Sequence, residues 1–135
     1  MTIELTDKEF RRLVDLVYIG NWILNSTRTD DPLEDYELLQ EKFFEICAKN
    51  GLKALAETSK GHYYPSRAYE AGGIHEAISD YEDAVFFDIL AEELARRDML
   101  EENVNQDDLG ELSSRIEDYM EEFECSGIDN LRVEE

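Results

Sequence analysis

Only two residues of this chain, His62 and His75, have the imidazole that favours proton transfer and transition-metal binding at neutral pH. Neither lies in a recognised catalytic motif. A ferritin-like di-iron site needs Glu-x-x-His on two helices, but Gly72 stands three residues before His75 and Ser59 three residues before His62. The chain also lacks Gly-x-Ser-x-Gly and the glycine loops that bind phosphate. Catalysis is therefore not the favoured interpretation.

Possible metal ligands are densest at His75, Glu76, Asp80 and Asp83. In one continuous helix the three carboxylates would share a face. However, the pattern of Ser79–Glu82 is that of a capping box, which predicts that a new helix begins there and misaligns the set. We interpret these side chains as solvated carboxylates and capping groups, and we predict neither a bound metal nor another cofactor.

A segment rich in glycine and tyrosine, at about residues 58–73, has no helical periodicity and is predicted to be one long loop. It contains four candidate binding residues: His62, Tyr63, Tyr64 and Arg67. Such side chains are typical of recognition surfaces, although rings that fold back over a helix junction are the more common case. The alternative to a non-catalytic protein is a metal- or small-molecule-binding helical enzyme that uses either this loop or the group around His75.

Acidic residues dominate the chain: 34 Asp and Glu stand against 13 Lys and Arg, a formal net charge of −21. Such a charge repels nucleic-acid phosphates and anionic lipid surfaces, so direct binding to either is not expected. No apolar run is long enough to span a membrane. The N-terminus has no basic or apolar signal segment, and we expect a cytoplasmic protein.

The charge is unequally distributed along the chain. Residues 1–67 have 9 basic and 12 acidic side chains, a balance of −3, whereas residues 68–135 have 4 and 22, a balance of −18. The simpler explanation is a solvated acidic surface. The sharper one is a protein-interaction or regulatory module whose acidic C-terminal half binds a basic protein, with four binding residues, Glu117, Asp118, Glu121 and Glu122. Charge reversal there should weaken binding, while replacement of Lys8 or Lys42 should not.

Periodicity and capping signals predict an all-α fold, a compact bundle or orthogonal cluster of four to five helices in a single domain over residues 1–135. A capping box at Thr6–Glu9 predicts a first helix from Asp7 to about Ser26. Asp31 and Pro32 should start the second helix, and Asn50-Gly51 should end it. The third should run from Ser79 to about Asp98. Asn105 should cap the fourth, which Gly127 follows.

The first helix is apolar on most sides, which predicts that it is central in the core and makes a homo-oligomer possible. Asn21 and Asn25, one turn apart, could line a small polar pocket or bind backbone carbonyls at a helix crossing, and the second interpretation is favoured. Cys47 and Cys125 are expected to be buried or half-buried free thiols, since their spacing fits no zinc or redox motif.

Overall fold

A computed structural model describes all 135 residues. The chain is 67% helical, which confirms the mostly helical fold class, and it adds a small two-stranded sheet. The elements are α1 (Asp7–Asn25), α2 (Glu34–Lys49), β1 (Ala56–Ser59), β2 (His62–Pro65), α3 (Arg67–Tyr69), α4 (His75–Glu101) and α5 (Leu109–Ser126). The single domain over residues 1–135 stays a prediction. Contacts between residues divide the chain into two compact units, Met1–Ile78 and Ser79–Glu135.

Helix α1 begins at the predicted capping box. The Thr6 hydroxyl accepts a hydrogen bond from the Glu9 amide at 3.2 Å, and the Glu9 carboxylate accepts one from the Thr6 amide at 2.8 Å. These bonds satisfy amides that have no partner inside the helix, and they lower the pKa of Glu9. The helix ends where the sequence predicted.

Helix α2 begins differently from the prediction, because its N-cap is Leu33 and no side chain caps it. Asp31 is paired instead with Arg28, at 2.9 Å, in the preceding turn. The C-terminal stop is as predicted. Gly51 adopts a φ of 84°, and the Leu52 amide donates to the Cys47 carbonyl at 3.0 Å, which closes the helix in a Schellman motif.

The segment predicted as a loop is mostly regular structure. Strands β1 and β2 form an antiparallel hairpin in which Glu57 faces Tyr64. The turn residues Lys60 and Gly61 both have a positive φ, 51° and 79°. A two-residue hairpin turn needs this for its twist to match that of the two strands. Ser66 then caps α3 by accepting a hydrogen bond from the Tyr69 amide at 3.1 Å. Local turn chemistry therefore replaced the expected irregular segment with a hairpin and a helical turn.

Helix α4 is continuous from His75 to Glu101, so the predicted helix start at Ser79 is wrong. The break lies earlier, in the wide turn Glu70–Ile74, where Gly73 has a φ of 106° that favours glycine. Once α4 has begun at His75, the Ser79 amide already has an intrahelical partner and needs no cap.

Helix α5 begins after Asp108, which accepts a hydrogen bond from the Glu111 amide at 3.1 Å. Asn105 was predicted to be this cap. It instead accepts from the Asp107 amide at 3.0 Å and so stabilises the preceding turn. Helix α4 is closed in the same way as α2, since Asn103 has a φ of 57° and the Val104 amide donates to the Met99 carbonyl.

The first unit has an aromatic core. Its buried residues are Val14, Tyr18, Phe44, Cys47, Tyr69 and Ile78. The Tyr69 ring meets those of Tyr18 and Phe44 edge to face, with centroids 5.2 and 5.1 Å apart. Among the four long helices α1 has the smallest share of exposed residues, six of 19, as expected of the most buried helix, although Leu16 is 66% and Ile23 is 63% exposed.

The second unit is an antiparallel pair of helices with a thin core. Ala95, Met99 and Leu112 form its buried cluster, against which Ile116 and Tyr119 pack. Alanine is small, so this cluster contains little apolar volume. No helix of the structure is both long and apolar enough to cross a membrane.

Candidate functional site

An open apolar groove lies in the second unit, at the end away from the α4–α5 connection, and acidic side chains border it. We call it the acidic groove, and its volume is about 620 Å³. It is lined by six residues: Phe87, Glu117, Met120, Glu121, Phe123 and Glu124. The rings of Phe87 and Phe123 have centroids 5.4 Å apart and form its floor. The three carboxylates recur at i, i+4 and i+7, so they lie along one face of α5.

Carboxylates at the two ends of the helix pair have different partners. Near the connection, Arg96 pairs with Glu92, Arg97 with Asp98, and Arg115 with Glu102 and Glu111. None of Glu117, Glu121 and Glu124 lies within ion-pair distance of a basic side chain, so their charge is not neutralised inside the protein. Across the whole unit 20 acidic and four basic residues give −16, and the first unit, with 14 and nine, has −5.

The structure brings together only part of the acidic set predicted from sequence. Glu117 and Glu121 line the groove. Asp118 and Glu122 do not, and Glu122 instead accepts a hydrogen bond from the Asn130 side chain. The sequence missed Glu124, which lies one turn beyond Glu121 on the same face. Periodicity could have identified it.

The residues of the predicted loop are placed by the β-hairpin. His62 is exposed, and its Nδ1 lies 2.9 Å from the Glu41 carboxylate. The Tyr63 ring packs against the core of the first unit, whereas Tyr64 is 49% exposed. Arg67 is exposed and only its backbone amide has a partner, the Glu57 carboxylate at 3.3 Å. These four residues therefore do not form one site.

His75 has a different environment from His62. Its Nε2 lies 2.6 Å from the hydroxyl of Tyr18, and the Trp22 ring meets it edge to face at 4.8 Å. Burial raises the pKa of the Tyr18 hydroxyl, and the charge of Glu70 raises it further. The phenol therefore stays protonated at neutral pH. The two histidines therefore have separate partners, Tyr18 for His75 and Glu41 for His62.

The acidic group after His75 also forms no metal site. Because α4 is continuous, Glu76, Asp80 and Asp83 do share a helix face. Nevertheless, no three His, Cys, Asp or Glu side chains of the chain come close enough together to hold a metal ion. The geometry therefore gives the metal-dependent alternative no ligand set.

The two cysteines are both free thiols. Cys47 is buried as predicted, and burial raises the pKa of its thiol. Cys125 is exposed, contrary to the prediction that both are at least half buried.

Asparagine side chains on α1 connect that helix to α2. Asn25 accepts a hydrogen bond from the Leu33 amide at 2.7 Å and donates to Asn21 at 2.6 Å. Asn21 in turn donates to Gln40 at 3.1 Å. Asn25 also donates to the Leu33 carbonyl at 3.2 Å, so the favoured prediction of bonding to the backbone is confirmed for Asn25, although Leu33 lies at the start of α2 and not at a helix crossing. Both asparagines also line a cavity, which was the other interpretation.

Two cavities of the first unit, of about 410 and 320 Å³, share the residues Asn21, Glu37 and Gln40. We call the combined space the polar cleft. Glu34, Glu41, Tyr63 and Tyr64 line the first cavity only, while Tyr18, Trp22 and Glu70 line the second only. No lysine or arginine lines either cavity. Tyr63 and Tyr64 are the only members that the sequence marked as binding residues, because the others come from three separate elements.

No known family model, curated protein or solved structure matches this chain.

Proposed function

We propose that this protein is a non-catalytic interaction module, and that the acidic groove binds a basic amphipathic helix of a partner protein. The proposal rests on one observation. The aromatic floor of the groove lies beside three carboxylates, those of Glu117, Glu121 and Glu124, that have no basic partner. An amphipathic helix has the complementary pattern, since its apolar side chains recur at i, i+3, i+4 and i+7 and its charged ones flank them.

The apolar floor of the groove favours a partner helix over simple cations as the bound species. Phe87 and Met120 are only half buried, so a helix laid over them would remove further apolar surface from water. Phe86 and Ile89, which are 50% and 57% exposed on the same stretch of α4, add apolar surface at this end of the unit. Simple counterions would gain nothing from these side chains.

The negative charge of the second unit should affect both the rate at which a basic partner associates and the affinity of the complex. A unit with a charge of −16 attracts a basic partner at long range, and this attraction accelerates association. Exposed ion pairs add little individually, about 0.2–1 kcal/mol each, so the floor must supply much of the affinity.

The test uses a synthetic amphipathic peptide of lysine and leucine and the full-length protein. We expect binding that weakens steeply with salt, and a roughly tenfold loss of affinity when Glu117, Glu121 and Glu124 are all changed to Gln. A charge-matched control changes Asp118→Asn, Asp129→Asn and Glu134→Gln, which lie outside the groove, and should weaken binding much less.

Two further comparisons test the role of the floor. A peptide of the same composition in scrambled order, without an apolar face, should bind more weakly than the amphipathic one. Met120→Gln should weaken the amphipathic peptide only. If the scrambled peptide binds equally well, or if the control variant matches the groove variant, the proposal is wrong and the surface is merely acidic.

The remaining expectations about the protein's setting stay predictions. A cytoplasmic location is one of them. Self-association is expected to use the exposed residues Leu16 and Ile23, which lie two turns apart on one face of α1. Light scattering of the protein at several concentrations tests it, and a monomer at every concentration would rule it out.

A further inference from the structure

The polar cleft combines acidic and aromatic residues with the amide side chains of Asn21 and Gln40, which the acidic groove lacks. We infer that it binds a small aliphatic polyamine, a flexible chain with ammonium groups several bonds apart. This inference concerns the first unit alone and does not depend on the proposed function of the second.

Carboxylates follow the length of the cleft. Glu34, Glu37 and Glu41 lie at i, i+3 and i+7 on α2, so they share a face and extend over about 10 Å at 1.5 Å per residue. Glu70 lies at the other cavity. A compact cation could contact only one or two of these groups, whereas an extended polyamine could place successive ammonium groups beside them.

The cleft carboxylates are largely available for a ligand. Glu34, Glu37 and Glu70 take part in no side-chain hydrogen bond or ion pair of the structure. Glu41 uses one oxygen, Oε1, for the His62 ring and the Tyr63 amide, at 2.9 and 3.2 Å. Its other oxygen has no partner. No lysine or arginine lines this concave space, and the only basic partner of its carboxylates is the His62 ring beside Glu41, so negative charge is concentrated there and favours a cationic ligand.

Aromatic residues give the cleft a second reason to prefer ammonium groups. Tyr63 and Tyr64 line one cavity and Tyr18 and Trp22 the other, and the negative face of an aromatic ring attracts a cation. The Lys49 ammonium lies 6.0 Å from the Tyr63 ring centroid, so this ring already accommodates such a group. The Lys49 charge is paired with Glu45 at 2.6 Å. The methylene groups of a polyamine would also cover apolar ring surface.

The amide connection between α1 and α2 holds the cleft in shape. Asn21 and Gln40 line both cavities and are hydrogen-bonded to each other, so this bond connects α1 to α2 beside both cavities. The Gln40 side-chain nitrogen has no partner. A cleft that is already formed loses less free energy on ordering when the ligand binds.

Spermidine is the probe, and Trp22 is the reporter, because it is the single tryptophan of the chain and lines the cleft. We expect spermidine to change the Trp22 fluorescence at concentrations where propylamine, with one ammonium group, does not. Acetyl-lysine amide, which stands for a lysine of a protein partner, should resemble propylamine. If it binds as tightly as spermidine, the inference of a free polyamine ligand is overturned.

The variant that tests the site is Glu37→Gln, since Glu37 is exposed and lines both cavities. We expect it to weaken spermidine binding about fivefold, whereas Asp118→Asn, which removes the same charge from the second unit, should change it little. Tyr64→Ala should also weaken binding. Equal effects of Glu37→Gln and Asp118→Asn would show that spermidine responds only to net charge, and the inference would then be wrong.

Discussion

The same three side-chain types, a tyrosine, an aspartate and an arginine, are joined once in each unit. In the first unit the Tyr69 hydroxyl donates to Asp15 at 2.9 Å, and Arg11 pairs with the same carboxylate at 2.6 Å. In the second unit Tyr119 donates to Asp98, which Arg97 contacts at 2.8 Å. The chemistry of the two groups is alike, but their surroundings differ.

Burial makes the two groups unequal. Tyr69 is 2% exposed, and its ring lies between those of Tyr18 and Phe44. Tyr119 is only half buried and packs on Phe123 at the surface of a helix pair. The two carboxylates are similarly exposed, with side chains at 22% for Asp15 and 25% for Asp98, so the difference lies in the tyrosine. A hydroxyl on a buried ring is expected to cost more to remove than one on a half-buried ring. The first unit is therefore held by a buried core that can preform a cleft, and the second presents a thin helical pair whose surface charge is its main feature.

The largest effect expected from this comparison is that of Phe44→Ala. Phe44 is fully buried against Tyr69, so its truncation should lower the free energy of unfolding of the first unit by about 3–5 kcal/mol. Trp22 fluorescence reports this unit alone, while far-UV circular dichroism reports both. Leu100→Ala, at a site 69% exposed, is the control and should change little. If fluorescence and dichroism show one shared transition in every variant, the two units unfold together.

The paired variants Tyr69→Phe and Tyr119→Phe compare the two groups directly. We expect Tyr69→Phe to lower the free energy of unfolding by about 1–3 kcal/mol, because Asp15 loses a buried donor, and Tyr119→Phe by about 0.5–1 kcal/mol. Chemical denaturation of both proteins in the same buffer measures the difference. An equal loss would mean that burial does not distinguish these groups.

The smallest effect expected is a pH dependence in the second unit. Burial opposes ionisation of Asp98, but hydrogen bonds from Tyr119 and Arg97 outweigh it and lower its pKa. A carboxyl whose pKa is lower in the folded state stabilises the fold above its unfolded pKa of about 3.9, and this contribution is lost as the pH falls further. Asp98→Asn should therefore cost about 1 kcal/mol at pH 7 and less at pH 3. A cost that does not shrink at low pH would contradict this account.

Much of the helical framework was predictable because its signals are local. Thr6 and Glu9 are three residues apart and cap α1 with no help from the rest of the chain. Asn50-Gly51 ends α2 for the same reason. The hairpin was missed because Lys60-Gly61 is a weaker turn signal than Asn-Gly, and the strands it joins are only four residues long.

Signals that depend on competition between neighbouring elements were misinterpreted. Ser79 has the sequence of a helix start, yet the chain had already begun α4 at His75 after the turn at Gly73. Asn105 and Asp108 were both able to cap α5, and the observed start selected Asp108. In each case a local preference was overridden by where the chain enters the helix.

The candidate sites were predictable only where a single helix forms them. Glu117 and Glu121 are one turn apart on α5, so the sequence could mark them as a pair. The aromatic floor was not predictable in this way, since periodicity identifies apolar residues but does not reveal which of them lack a covering partner. The polar cleft was out of reach, because Asn21, Glu37 and Tyr64 meet only when two helices and a strand pack together.

The amino-acid sequence by itself determined the helical character, the caps of α1 and the uneven charge, since these depend on side-chain type and on neighbours within a few residues. Most arginine pairs are local too, since their partners lie one to four residues away. Only the tertiary structure decided the Arg115–Glu102 pair and which carboxylates face an open cavity. The reason is that burial and contacts between elements depend on distances between residues far apart in the chain, and those distances exist only once the elements have packed.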